Sequence, residues 1–140
     1  DVATGGWVAR AVMPHQSPKY LKGDPNGLQY ILGPKSVERI VVVEDILSAT
    51  KVRLAAEQAG EGDRVAAVAL GGTHFDAAKL SHMLDLQRAT IFPDPDTPGE
   101  SAAASVRRRL QSVGVATEVL RLPTDAKHQQ LAVIQQALFG

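Results

Sequence analysis

The sequence predicts an α/β fold in which a central parallel sheet carries helices on both faces. Three observations lead there. Residues 40–43, 65–70 and 89–92 form nearly continuous apolar runs, the pattern of strands buried on both faces. Segments of helical spacing separate these runs, so four strand–helix units follow one another and imply parallel pairing through crossover helices. Acids stand where two of the runs end, Glu44 after the first and Asp94-Pro95-Asp96 after the third. Sheets of this kind bind ligands at the carboxyl ends of their strands.

The first strand is Val37 to Val43, ending on Glu44. Ile46 to about Gln58 follows as a helix stopped by Gly60, glycine being the common helix terminator. Val65 to Leu70 is the second strand, closed by Gly71-Gly72. Thr73-His74-Phe75-Asp76 has the look of a capping box, opening a helix through Ala77, Leu80, Met83 and Leu84. Ala89 to Phe92 is the third strand. A proline inside a central strand would remove a ladder hydrogen bond, so this strand ends near Pro93. The residue before a proline is pushed out of the α region, so Pro95 should hold Asp94 extended. Thr97-Pro98-Gly99-Glu100 reads as a second capping box with proline at the first helical position. Ala102, Ala103, Val106, Leu110 and Val113 continue that helix. Ala116 to Leu122 is the fourth strand, and Gln129 to Leu138 a closing helix apolar at 131, 134 and 138. Residues 1–36 behave differently, with four prolines, five glycines and one short strand candidate from Trp7 to Met13. They read as a small irregular N-terminal lobe appended to a domain over 37–140.

At 140 residues the chain makes one domain with a real core. Its 15 Lys and Arg balance 15 Asp and Glu, so nucleic-acid binding would come from a local patch and not from a global basic field. The absence of cysteine excludes disulfides and thiolate zinc sites. No signal peptide and no apolar stretch of membrane length is visible, which fits the cytoplasm. The first residue is Asp1 and not methionine, which suggests a piece excised from a longer protein.

The three acids are the raw material of a magnesium site. Asp94 and Asp96 are two apart, so on an extended chain their side chains leave one face. Hard oxygen donors suit magnesium, which takes a few carboxylates and completes its shell with water and substrate phosphate. The bland alternative is that each acid caps the helix after it. Three acids at two strand ends argue for the metal.

The series Val43-Glu44-Asp45-Ile46-Leu47-Ser48-Ala49, then Leu70-Gly71-Gly72-Thr73, then Phe92 to Gly99, resembles the TOPRIM domain of primases and topoisomerases. That family carries a glutamate after its first strand and an Asp-x-Asp after a later one, with a glycine following. Glu44, Asp94, Asp96 and Gly99 match in order. Pro18-Lys19-Tyr20-Leu21 is similar to the stretch preceding TOPRIM in bacterial and phage primases, and Leu122-Pro123-Thr124-Asp125 to the segment where primases place a further acid. The resemblance implies a Rossmann-like, TOPRIM-like fold with a four-stranded parallel sheet and magnesium or manganese as cofactor. Glu44, Asp94 and Asp96 would carry catalysis and hold the metal, with Asp125 as a weaker fourth ligand. Glu44 would be a ligand, an outer-shell water holder or the general base. Two departures stand out. Where the family has glycine after its glutamate, this chain has Asp45, better read as a helix cap than as a water-mediated metal contact. The cysteine-rich zinc module that primases use on their template is absent here.

The activity so implied is that of a DNA primase fragment, from a phage primase or primase-helicase. It would make RNA primers on single-stranded DNA from ribonucleoside triphosphates in a bacterial or phage-infected cytoplasm, with a replicative helicase, fused or separate, as a further partner. A TOPRIM nuclease or topoisomerase is the alternative; a receiver-like magnesium module is another, for which Lys127 after Asp125 is a poor match. Arg10, Lys19 and Lys22, with Lys35 and Arg39 beside the lobe, could grip nucleic acid. His74 could touch a phosphate. Arg107-Arg108-Arg109 reads as a solvated helix face, and Trp7 and Tyr20 as core packing more than base stacking.

Overall fold

The computed structural model describes residues 7–10, 20–23, 30–71 and 75–140, with the backbone alone at 7–10, 20–23 and 83. Among the described residues three strands precede the one expected from Val37: β1 (Trp7–Arg10), β2 (Tyr20–Gly23) and β3 (Tyr30–Leu32). β1 and β2 pair antiparallel as a separate two-stranded sheet, so the expected strand from Trp7 is present as far as Arg10. Then follow β4 (Arg39–Val43), α1 (Ile46–Gln58), β5 (Val65–Ala69), α2 (Ala77–Leu84) and β6 (Arg88–Ile91). The chain closes with α3 (Thr97–Ser112), β7 (Ala116–Val119), a 3-10 turn (Ala126–His128) and α4 (Leu131–Phe139).

The main sheet has the order β3-β5-β4-β6-β7. Its last four strands are parallel, as expected; β3 is a fifth, antiparallel to β5 at the edge. This strand comes from the stretch read as lobe. Tyr30 and Ile31 are buried there, yet three residues between turn formers give no period to detect. β7 is shorter than expected and ends at Val119, and α4 starts at Leu131 because the 3-10 turn intervenes.

Alternate residues of β4 feed two cores. Ile40 and Val42 join α2 and α3 through Leu80, Leu84, Val106 and Leu110. Val41 and Val43 join α1 and α4 through Val52, Ala55, Ile134 and Leu138. Burial on both faces is what the continuous apolar runs required. The Ala-rich β5 and the buried Ala49, Ala55 and Ala56 of α1 leave little side-chain bulk between helix and sheet.

The N-caps of α2 and α3 are both acids. The N-cap of α2 is Asp76, accepting from Lys79 N at 3.0 Å. That of α3 is Asp96, accepting from Gly99 N at 2.6 Å, with proline inside the first turn. At α3 the acid just before the helix caps in place of Thr97, since its side chain reaches a free amide of the first turn; Thr73 lies outside the described residues.

Arg39 sits at the start of β4, the opposite end from the acids. It donates to Thr90 Oγ1 (2.9 Å), Glu118 Oε1 (3.2 Å) and the Leu138 carbonyl (3.1 Å), tying β4 to β6, β7 and α4. It acts as a structural clasp at the end of the strands opposite the acids. Residues 107–109 are exposed on α3, as expected. Among the described residues no helix is long and apolar enough to cross a membrane.

Candidate metal centre

β4 and β6 are adjacent and parallel, so Glu44 and Asp94 leave the sheet at neighbouring carboxyl ends. The chain runs from β4 outward to β5 on one side and returns to β6 on the other. That reversal of strand order opens a crevice above the strand ends, the usual ligand position in such sheets.

The Asp94–Asp96 segment turns tightly instead of running extended. Asp96 N–H donates to the Asp94 carbonyl at 2.8 Å. Asp94 acts on the protonation of Glu44, and Asp96 Oδ1 accepts from the Gly99 amide at the start of α3.

Glu44 Oε1 is buried and has no hydrogen-bond partner. Burial, the charge and hydrogen bond of Asp94, and the charge of Asp96 push the Glu44 carboxyl up to about 7. Burial likewise raises Asp94, with a contribution from the charge of Asp125, against the lowering effect of its hydrogen bond with Glu44. Gly99 explains the closeness. A Cβ there would strike the Asp94 carbonyl oxygen and come within 2.8 Å of Glu44 Oε1 and 2.9 Å of Asp96 Oδ1. Only glycine lets these oxygens converge beside the first turn of α3.

Asp45, the unusual neighbour of Glu44, is fully engaged. Its Oδ1 accepts from Leu47 N (2.9 Å) and Ser48 N (3.0 Å), and its Oδ2 from Ser48 Oγ (3.2 Å) and Lys127 Nζ (2.9 Å). Burial works against its ionisation, but the Lys127 hydrogen bond and the Ser48 amide outweigh that and hold it below the usual range. It is the α1 cap, as read from sequence. Asp125 also meets Lys127, at 3.3 Å. The hydrogen bond of Lys127 to Asp45, then the charge of Asp45 and the hydrogen bond and charge of Asp125, raise the lysine against the opposing effect of burial. The sequence offers Lys127 only as a poorly matching receiver lysine, and its pairing with Asp45 and Asp125 is not foreseen there. The signal available was Asp45 itself, a second acid at a buried strand end that needs a cation.

Among the described residues, no three His, Asp or Glu side chains form a group that could hold a metal ion as they stand. Asp96 is committed through one oxygen to α3, and Asp125 to Lys127. The donor chemistry nonetheless fits a hard divalent ion. Glu44 offers a buried, unmatched oxygen beside Asp94, and the mutual repulsion of these acids is what a cation relieves. Lys19 and His74 lie outside the described residues; Arg10 and Lys22 stand in β1 and β2, their side chains likewise undescribed. A cavity of about 790 Å³ lies at the other end of the strands, among Arg39, Asp63, Arg64 and Arg88. Its charges are of both signs and partly paired, as in Arg64–Glu61. The acidic edge, where like charges are forced together, is the better candidate for chemistry.

A family profile described as Toprim-like matches residues 42–130. The match takes in Glu44, Asp45, Asp94, Asp96, Gly99, Asp125 and Lys127. A search of curated proteins gave no match. Toprim domains depend on a divalent metal and act on nucleic acids.

Proposed function

The chain belongs to the Toprim-like family, and from that premise we propose that it is the catalytic region of a DNA primase, making RNA primers on single-stranded DNA. The observation that carries the metal-dependent part is the buried, unpartnered Glu44 Oε1 beside Asp94. The choice of primase within the family rests on Pro18-Lys19-Tyr20-Leu21. Family membership sets aside the receiver-like alternative, although a late lysine does reach the acids.

Asp94 and the free oxygen of Asp96 would hold magnesium, with Glu44 next to them. When bound, the ion supplies neutralisation of charge on the transferred phosphoryl group and alignment of its oxygens. Glu44 keeps one oxygen free to accept a proton, directly or through water, from the attacking 3′-hydroxyl. Gly99 lets the first turn of α3 approach without a side chain, leaving room above the strand ends for phosphate. Lys19, Arg10 and Lys22 would hold the template backbone, and His74 a phosphate. The setting is a bacterial or phage-infected cytoplasm, with a replicative helicase as partner.

Primer synthesis on single-stranded DNA, with labelled ribonucleotides and Mg²⁺ or Mn²⁺, tests this reading. Glu44→Gln and Asp94→Asn should each lose at least about a hundredfold in rate, as expected when several kcal/mol of metal-dependent stabilisation are removed. Template cleavage without primers, lost in the same variants, would favour the Toprim nuclease alternative.

A further inference from the structure

We propose that the Lys127 ammonium stands in for a second cation at the acidic edge. The chain would then bind one divalent ion, on the Glu44–Asp94–Asp96 side, where the same acids without the lysine would bind two. This rests on the metal-binding reading above. Lys127 Nζ lies 2.9 Å from Asp45 Oδ2 and 3.3 Å from Asp125 Oδ2, and the three side chains are only 21–27 % exposed. Asp45 is the chain neighbour of Glu44, and the charges of Asp125, Lys127 and Asp45 all act on Asp94. The pair and the metal side therefore share one electrostatic field.

Without a cation, Asp45 and Asp125 would be partly buried anions facing each other, an expensive arrangement. An ammonium meets that need with one charge and three donors. It also opposes an added ion. Paired metals sit roughly 3.5–4 Å apart, and a fixed positive charge among the ligands repels a second divalent cation. The lysine is delivered firmly: its backbone N–H donates to the buried Ser48 Oγ at 3.3 Å, so the 3-10 turn is docked on α1. Asp45 occupies the position that glycine holds in the resemblance, and its carboxylate gives Lys127 its shorter ion pair. The substituted acid and the lysine work as one unit.

The test counts Mn²⁺ bound by the 140-residue chain at neutral pH, from loss of the free-ion EPR signal. Wild type and K127R should bind one ion, K127M and K127Q two, and the double variant K127M/D125N one again. Two ions on wild type, or one on both folded K127M and K127Q, would overturn the proposal. Should K127M unfold without metal, its refolding under Mn²⁺ decides: two ions support the proposal and one overturns it. A wild type that binds no ion sinks the metal-binding reading and this inference with it. An ion lost in D94N, with K127M still binding only one, sinks this inference alone.

Discussion

On one side of the acidic edge, Asp45, Lys127 and Asp125 form a closed set in which four donors meet the oxygens of Asp45. On the other, burial raises both the Glu44 and the Asp94 carboxyls, Asp94 raises Glu44 further, and Glu44 Oε1 has no hydrogen-bond partner. The two sides begin at consecutive residues of one strand end. Their difference separates acids that hold the fold from acids left crowded without a cation.

The comparison breaks most visibly at Asp45. Asp45→Ala removes a helix cap worth about 0.5–2 kcal/mol and leaves Lys127 with only Asp125, a screened pair worth at most about 1 kcal/mol. A loss of about 0.5–3 kcal/mol in urea unfolding is expected. A loss under about 0.5 kcal/mol would show that the closed set stabilises nothing.

Glu44→Gln should act with the opposite sign. The folded carboxyl keeps its proton to about pH 7 and the unfolded one only to 4.5. Between those values the native state binds more protons, so metal-free stability falls as pH rises and the loss is complete above 7. Discounted for partial exposure, it is on the order of 1–2 kcal/mol. The Gln variant should exceed wild type by that amount near pH 8 and match it near pH 4. A flat difference across that range would mean the Glu44 carboxyl is not strained.

Asp96 straddles both sides, since Oδ1 caps α3 while its charge acts on Glu44. Asp96→Ala should cost about 0.5–2 kcal/mol, and Asp96→Asn only a few tenths, because Asn caps as well as Asp. Both should weaken Mn²⁺ binding. Equal melting of the two variants would remove the cap from the account.

Asp85 is a control far from this edge. It ends α2 with φ 55°, the left-handed region that disfavours side chains. Asp85→Gly should stabilise by less than about 1 kcal/mol and leave Mn²⁺ binding untouched.

Much of this was legible in the sequence. Continuous apolar runs specified β4, β5 and β6, because burial on both faces demands them, and the acids at the ends of β4 and β6 located the edge. β3 escaped because three residues carry no period. From the sequence Asp96 reads as a ligand in preference to a cap, because Thr97-Pro98-Gly99-Glu100 imitates a capping box one residue late; it caps α3 through Oδ1. The pairing of Lys127 escaped for a different reason. A lysine in a loop gains meaning only when its turn docks on α1, a contact between positions 82 apart that no local pattern encodes.

The adjacency of β4 and β6 has a consequence for the order of events in folding. β4 and β5 are joined by one short helix, whereas β6 reaches β4 only after β5 and α2 have been laid aside, fifty positions after Glu44. Loop closure favours the nearer pairing first. An early β4–α1–β5 unit already holds Asp45 as a cap but offers an ion Glu44 alone. Metal would therefore recognise only chains in which the sheet has closed past its midpoint, acting as a late latch. Saturating Mn²⁺ should slow unfolding while leaving the folding rate unchanged.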